Sequence, residues 1–473
     1  MRIGIVGAGV AGLCTAKVLR QVGHEVAVLD RSPDVGGVWS ATRRYPGLST
    51  QSPRDTYAFS DFPMPRDHPE WPSGEQVQAY LAAYAREFGL EASIRLRTEV
   101  VRARPGDGPA WTLTVRDLDS GAESEEVFDH LVVANGVFCE PAMPEFLGAE
   151  EFAAAGGRVL PGTAFHDVED ARGRQVVVLG YGKTACDIAA AVSDTAAGTT
   201  IVARQLVWKV PRKVAGVLNF KHLLLTRLGE SLFRYVRLRG VEKVIHGPLD
   251  GLRRRLLDSL GPVSARQFGL ADLDLVPRGR FEDIVRGAIG LTTDGFFERV
   301  RSGARTVRRD RTISRLLEKD GAPHVELDDG SVIPADLLAC ATGFRQGVPF
   351  LDAALAARLT DDRGNHLLYR QILPVDVPNL SFAGYNSSFF SPLNAEMAAV
   401  WIAARLAGRL ELPTGRPCVR MSTPSWRSWT RRRTGTTATA RRSSRSRCTT
   451  WTRSSTTSAS TCRATSAPGS GWA

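Results

Sequence analysis

Short unbroken apolar runs recur along the first 412 residues, and most of them meet a glycine-rich turn: Ile3–Val6, Val176–Leu179, the stretch Asp336–Phe344 and Leu380–Gly384. Four or five apolar residues bounded in this way predict strands buried on both faces of a parallel sheet. Glu25–Asp30, Val127–Ala134 and Thr200–Ala203 read alike. Ile94–Arg102 and Trp111–Arg116 alternate instead, which predicts a small antiparallel excursion, and Val325–Ile333 predicts a hairpin. Ser73-Gly-Glu-Gln76 is a capping box, and Val77, Tyr80, Leu81 and Tyr84 behind it fall on one face of a helix. Ala395–Leu406 predicts the last helix. Residues 209–300 read as helical, basic in patches and weakly patterned. Their amphipathic stretch Leu223–Phe233 is expected to cover an active site or a subunit contact, with membrane-surface docking as the less favoured alternative.

Two of the runs open the same motif. Gly7-Ala8-Gly9-Val10-Ala11-Gly12 follows the first, and Gly180-Tyr181-Gly182-Lys183-Thr184-Ala185 follows the second. The leading glycine allows the tight turn, the second lets backbone approach a pyrophosphate, and a small third residue lets helix pack on strand. The helix N-terminus then presents unpaired N–H groups to the anion. The pair predicts an α/β fold with two Rossmann-like dinucleotide-binding units that pass electrons between two nucleotides. Because Leu380–Gly384 reads as a strand returning to the first unit, the second unit is inserted within it.

The strand ends give the units different duties. Asp30 stands where a carboxylate bonds ribose hydroxyls, whereas the corresponding strand of the second unit ends in Arg204, whose guanidinium can fork onto a 2′-phosphate. With Lys183 and Thr184 at the helix start, this favours NADPH over NADH. Gly36-Gly37-Val38-Trp39 forms a loop whose glycines permit close approach to a ligand. Trp39 is counted as a candidate contact there, although a lone tryptophan belongs by default to the core.

Composition changes this picture at one end only. After Glu411 the chain has twelve arginines and no acid, so removing them from the net charge of +11 leaves the body at −1. No nucleic-acid partner is therefore expected. The segment 413–473 is rich in Arg, Ser and Thr, lacks apolar periodicity and reads as an aberrant, disordered tail. A shifted reading frame accounts for that vocabulary: Cys448–Ser455 can be back-translated so that the neighbouring frame spells an ordinary acidic helix. The seven cysteines are scattered with no CxxC pair, which argues against a zinc site and a redox disulfide. No spanning segment is expected, and the cytoplasm is the expected location.

These residues resemble the flavin-containing monooxygenases and their Baeyer–Villiger relatives from Met1 to about Leu412. The resemblance is carried by the first fingerprint, Gly36-Gly37-Val38-Trp39, Tyr45-Pro-Gly-Leu48, Ser52-Pro53-Arg54, Phe59-Ser-Asp-Phe-Pro63, the second fingerprint with Asp187, Ala341-Thr342-Gly343-Phe344 and Pro378–Gly384. It implies FAD on the first fingerprint and NADPH on the second. Gly7, Gly9, Gly12, Asp30, Gly37, Trp39, Asn135, Gly136 and Gly384 are then read as FAD-side residues. Gly180, Gly182, Lys183, Thr184, Arg204, Thr342 and Gly343 complete the cofactor set. It further implies a dimethylaniline monooxygenase-like oxidoreductase inserting one atom of dioxygen, through a C4a-(hydro)peroxyflavin, into a soft nitrogen or sulfur of a small molecule. Baeyer–Villiger oxidation of a ketone is the alternative within the class, and an inactive remnant caused by the altered C-terminus the alternative outside it.

Two departures blur the subclass. Leu160-Pro-Gly162-Thr-Ala-Phe-His166 keeps the glycine and histidine of the linking motif but not its aromatic residue, and Asp170 stands where members carry an aromatic residue or proline. His166 is read by default as a buried structural histidine. Gln51 occupies the position of an asparagine whose amide faces the flavin, and is the candidate catalytic residue. The expected domains are 1–155 with 345–412 for FAD, and 156–344 for NADPH with the helical insert 209–300. A homodimer is an open expectation, and no metal is expected. A disulfide reductase is disfavoured because it needs a close cysteine pair.

Overall fold

The computed structural model describes residues 1–412 apart from 107, 234–237, 239, 287–289, 362–363, 375 and 387–389; the expected tail 413–473 lies outside the described residues. The chain starts with β1 (Arg2–Val6), α1 (Val10–Gln21) and β2 (Glu25–Leu29). Next comes α2 (Gly74–Glu87), where Ser73 accepts from the Gln76 N–H and Gln76 bonds back to the Ser73 N–H, as the capping box predicts. β3 (Ile94–Arg95) is short, and β4 (Thr98–Pro105), β5 (Trp111–Asp117) and β6 (Glu123–Phe128) make the antiparallel excursion.

β7 (His130–Val133) follows, so the run Val127–Ala134 is not one strand. The break is at Asp129, whose N–H donates to the Arg2 carbonyl and whose carboxylate accepts the Arg2 N–H at 2.7 Å. That clasp turns the chain from the antiparallel sheet into the parallel one. Val127 is left exposed on the outer side of the turn.

The second unit runs through β8 (Arg158–Pro161), β9 (Gln175–Leu179), α3 (Lys183–Val192), β10 (Gly198–Ala203), β11 (Lys209–Val210), α4 (Asp250–Phe268), β12 (Gly290–Leu291), β13 (Thr306–Arg309) and β14 (Leu337–Cys340). β15 (Leu380–Phe382) and α5 (Ser391–Leu406) close the described chain. The first sheet has the order β15-β7-β1-β2-β3 and the second β13-β10-β9-β14-β8, all pairs parallel. β15 pairs with β7, so the strands of the second sheet lie within the sequence of the first, the expected nested α/β architecture. Parallel strands buried on both faces need apolar side chains on both, which is why these segments read as unbroken runs. One face of the first sheet packs with α1, α2 and α5; the other meets the antiparallel sheet.

The insert is less uniformly helical than its sequence suggests. It holds the β11–β12 pair and a second short pair, Lys213–Val214 with Leu218–Asn219. The amphipathic stretch Leu223–Phe233 is not one helix: Phe220–Leu224 and Arg227–Ser231 are separate. The chain folds back so tightly that a Cβ on Gly229 would lie 1.9 Å from the Leu223 carbonyl oxygen. No described helix is long and apolar enough to cross a membrane.

Candidate functional site: two nucleotide cradles and the loop between them

The first fingerprint is built where β1 meets α1. Gly7 has φ +113°, and a Cβ there would lie 2.5 Å from the Ala134 carbonyl oxygen; one on Gly12 would lie 1.8 Å from the Gly7 oxygen. Only glycine fits either place. Gly37, at φ +62°, brings its loop against Gly9, and a Cβ on Gly384 would lie 2.7 Å from Ala11. The fingerprint is thus hemmed by the turn after β7, the Gly36–Gly37 loop and the end of β15.

Asp30 lies at this cradle. Its carboxylate accepts the Ala8 N–H at 2.6 Å and the Ser32 N–H at 2.8 Å. Trp39 is buried, and its indole N–H donates to the Tyr57 hydroxyl at 3.0 Å. Burial pushes that hydroxyl up to about 12, so it stays protonated. Asn135 is held from both ends: Tyr385 donates to its Oδ1 at 2.7 Å, and its Nδ2 donates to the Gly347 carbonyl at 2.9 Å. Gly136 has φ +78° with open space where a side chain would stand.

The second cradle repeats the plan where β9 meets α3. Gly180 has φ +126°, and its Cβ would lie 2.6 Å from the Ala341 oxygen, whereas a Cβ on Gly182 would meet nothing within 4 Å. Neither α1 nor α3 has a side-chain N-cap or an acid in its first turn. Both helices therefore present first-turn N–H groups and a positive dipole end with no acid of their own first turn to meet them. That chemistry, with the open space at Gly182, fits a pyrophosphate at each N-terminus.

Around the second cradle the side chains divide. Arg204, just after β10, is exposed and makes no ion pair among the described residues. Lys183 is not free: it is buried, with its ammonium 2.5 and 2.6 Å from the two oxygens of Asp187. Asp187 also accepts from the Thr293 hydroxyl and lies 3.5 Å from the Tyr45 hydroxyl, to which Thr184 donates at 3.2 Å. Burial pushes the Asp187 carboxyl up, while Lys183 and Thr293 pull it down. Lys209, also buried, donates to the Tyr181 carbonyl at 2.6 Å and stands over that residue's ring. Thr342 donates to the Ala142 carbonyl at 2.8 Å, and Gly343 has φ +92°.

The loop 41–51 joins the two cradles. A Cβ on Gly47 would lie 3.3 Å from the Asp187 carbonyl oxygen on α3. His166 donates from Nδ1 to the Arg44 carbonyl at 2.9 Å; it is exposed, not buried, and lines a cavity of about 220 Å³ with Arg44, Tyr45 and Glu75. Gln51 is half-buried, and its Oε1 accepts the Leu291 N–H of β12 at 3.2 Å. Three residues in this arrangement lie outside the predicted site set: Tyr45, Asp187 and Lys209. Tyr45 and Asp187 stand inside motifs read from the sequence, but nothing in the spacing says that they meet; Lys209 carries no signal.

Comparisons with known proteins agree with this construction. The chain is 27% identical over 459 residues to the probable flavin-containing monooxygenase 1 of Arabidopsis thaliana, covering 87% of this chain and 83% of that one. It is 26% identical over 434 residues to dimethylaniline monooxygenase [N-oxide-forming] 2 of Macaca mulatta, covering 88% and 75%. The solved structure of OTEMO in complex with FAD and NADP superposes with a TM-score of 0.64 at 16% identity, over 86% of this chain and 85% of that one, a likeness of fold. The FMO-like profile matches residues 1–246, slightly over half the chain, and the protein belongs to the flavin-binding monooxygenase-like family.

Proposed function

We propose that this flavin-dependent monooxygenase binds FAD at the first fingerprint and NADPH at the second, and transfers one oxygen atom of O2 to a soft nitrogen or sulfur of a small molecule. Asp30 would hold the adenosine ribose of FAD, with the α1 N-terminus on the pyrophosphate. Arg204 would hold the 2′-phosphate of NADPH, with the α3 N-terminus on its pyrophosphate. Lys183 contributes its backbone N–H there, since its ammonium is committed to Asp187. Once bound, the flavin supplies the redox chemistry that activates dioxygen. The chain's own task is to exclude water and to place donors around the reacting oxygen.

The single observation that carries the oxygenation reading is the fixing of Gln51. The Leu291 N–H takes its Oε1, so the amide's NH2 end is the one left to donate. An oriented amide donor held between a flavin cradle and the insert suits stabilisation of an oxygen that gains charge. The scattered cysteines, not joined in disulfides where the structure describes them, keep the cytoplasm as our reading of location.

A product screen tests the proposal. Purified protein is expected to be yellow, to consume NADPH and O2 together, and to convert tertiary amines or thioethers to N-oxides or sulfoxides. Esters or lactones from ketones, without N- or S-oxides, would replace it with the Baeyer–Villiger reading. Colourless protein that FAD cannot reconstitute would overturn it altogether.

A further inference from the structure

The insert carries an apolar surface that electron transfer and oxygenation do not use. Leu249, at the N-cap of α4, and Leu252, Leu256 and Val263 within it are exposed by 46%, 66%, 52% and 38%. At roughly 100° per residue these four fall within about 60° of the helix circumference. The buried residues Arg253, Leu257, Gly261 and Ser264 face the protein. Val241 and Val244, in the short helix Val241–Ile245 just before α4, are exposed as well, and so is Leu228. Single exposed apolar residues need no explanation, but a stripe along about 21 Å of one helix does.

Charge identifies what the stripe faces. Residues 209–268 hold thirteen lysines and arginines against four acids, a net +9, inside a body 1–412 whose total is −1. The insert is therefore the positive pole of the body 1–412. By the same helical geometry Arg255 and Arg266 line one edge of the stripe, and both are exposed, as are Lys243 and Arg227. Arg253, by contrast, is buried and spent on Asp250 and Glu282.

We propose that this face docks the protein on an anionic lipid surface. Leu249, Leu252, Leu256 and Val263 enter the boundary between headgroups and acyl chains, and the arginines along that edge meet lipid phosphates. A second copy of the chain is the poorer occupant, because pairing the same face with itself brings two positive poles together. The helix lies on the bilayer and does not span it: α4 carries too many charges to cross.

Vesicle co-sedimentation of the full chain tests this, with phosphatidylcholine alone compared with equal parts phosphatidylcholine and phosphatidylglycerol. Retention is expected on the anionic vesicles, released by salt, and weak on the neutral ones. L252S/L256S should lower retention roughly tenfold, and R255E/R266E should lower it at least as much, given about 1 kcal/mol per basic residue near the surface. Both variants should keep the wild-type melting temperature and NADPH oxidation rate, since these side chains are exposed and far along the chain from the cradles. Retention undiminished in L252S/L256S would overturn the proposal, because binding carried by the arginine-rich C-terminal segment survives that change. No retention by the wild type would overturn it, as would a wild-type dimer that L252S/L256S converts to a monomer with no change on vesicles.

Discussion

Gln51 and Arg204 differ in how they are held, and the difference sets what each substitution should do. Gln51 is oriented through its oxygen by a backbone N–H from another part of the chain. Gln51→Ala removes a donor without touching either cradle, so FAD content and the KM for NADPH should stay unchanged. The loss belongs in the oxygenation step, about a hundredfold in product formation by the magnitude of one missing preorganised donor. NADPH oxidation should continue and end in hydrogen peroxide, which a peroxide assay run beside product quantification reads directly. Among the described residues Arg204 has no ion-pair partner to lose. Arg204→Ala should therefore cost only a charge-assisted contact to the 2′-phosphate, about 1.5–3 kcal/mol. The KM for NADPH should rise roughly tenfold or more on that basis, while the KM for NADH stays as it was. An equal rise for both cofactors would place the effect on the fold of β10 and not on the phosphate.

Residue identity was readable wherever the backbone demanded it. Gly7, Gly12 and Gly180 stand at positions where a Cβ would strike a carbonyl oxygen, a constraint any reader of the motif can anticipate. Lys183 was not readable. Its place in the motif suggests a phosphate contact, but four residues on, Asp187 shares its helix face and claims the ammonium in a buried pair. His166 reads by default as a core histidine, whereas the structure leaves it exposed with its Nδ1 donating to the Arg44 carbonyl.

Elements followed from periodicity as far as their environment was uniform. α2 begins at its capping box, and Val77, Tyr80, Leu81 and Tyr84 are all buried on one side. Where the environment changes within a run, pattern fails. Val127–Ala134 reads as one run broken only at Asp129 and His130, yet it belongs to two sheets because the Arg2–Asp129 clasp intervenes.

The return strand is tied to its neighbour by a buried polar contact, His130 to Ser381 at 2.9 Å. Burial holds His130 down to about 4 from 6.5, with the charges of Arg405 and His24 acting in the same direction, and burial does the same to His366. The unfolded chain takes up these protons below its ordinary histidine value, whereas the native protein does not until pH nears 4. Stability should thus be full above pH 6.5 and fall as the pH drops through that window, by up to about 1.4 kcal/mol per pH unit for each histidine. Urea midpoints measured through the window should show the slope, and His130→Asn should flatten it. A slope unchanged in that variant would assign the effect to His366 or to carboxylates.

At the scale of the molecule, Asp187 is the knot. It sits on α3, grips Lys183 on the same helix, accepts from Thr293 within the insert, and faces Tyr45 from the loop beside the first cradle. Asp187→Asn leaves a buried ammonium without its carboxylate, and should cost about 3–5 kcal/mol in chemical denaturation. K183M/D187L, which removes both charges, should restore most of that loss. If the double variant is as unstable as the single one, Asp187 matters for its bonds to Tyr45 and Thr293 more than for the ion pair.

The sequence by itself determined the central strands of the two sheets, the two glycine turns and the nesting of one unit within the other. Each of these rests on local rules: apolar runs for doubly buried strands, glycines where backbone meets backbone. What only the tertiary structure decided is which side chains remain free to act. Among the described residues Arg204 is unclaimed and Lys183 is not; Gln51 is pinned by Leu291, 240 positions away in sequence. Such outcomes depend on contacts between segments far apart in the chain, and periodicity carries no information about who meets whom.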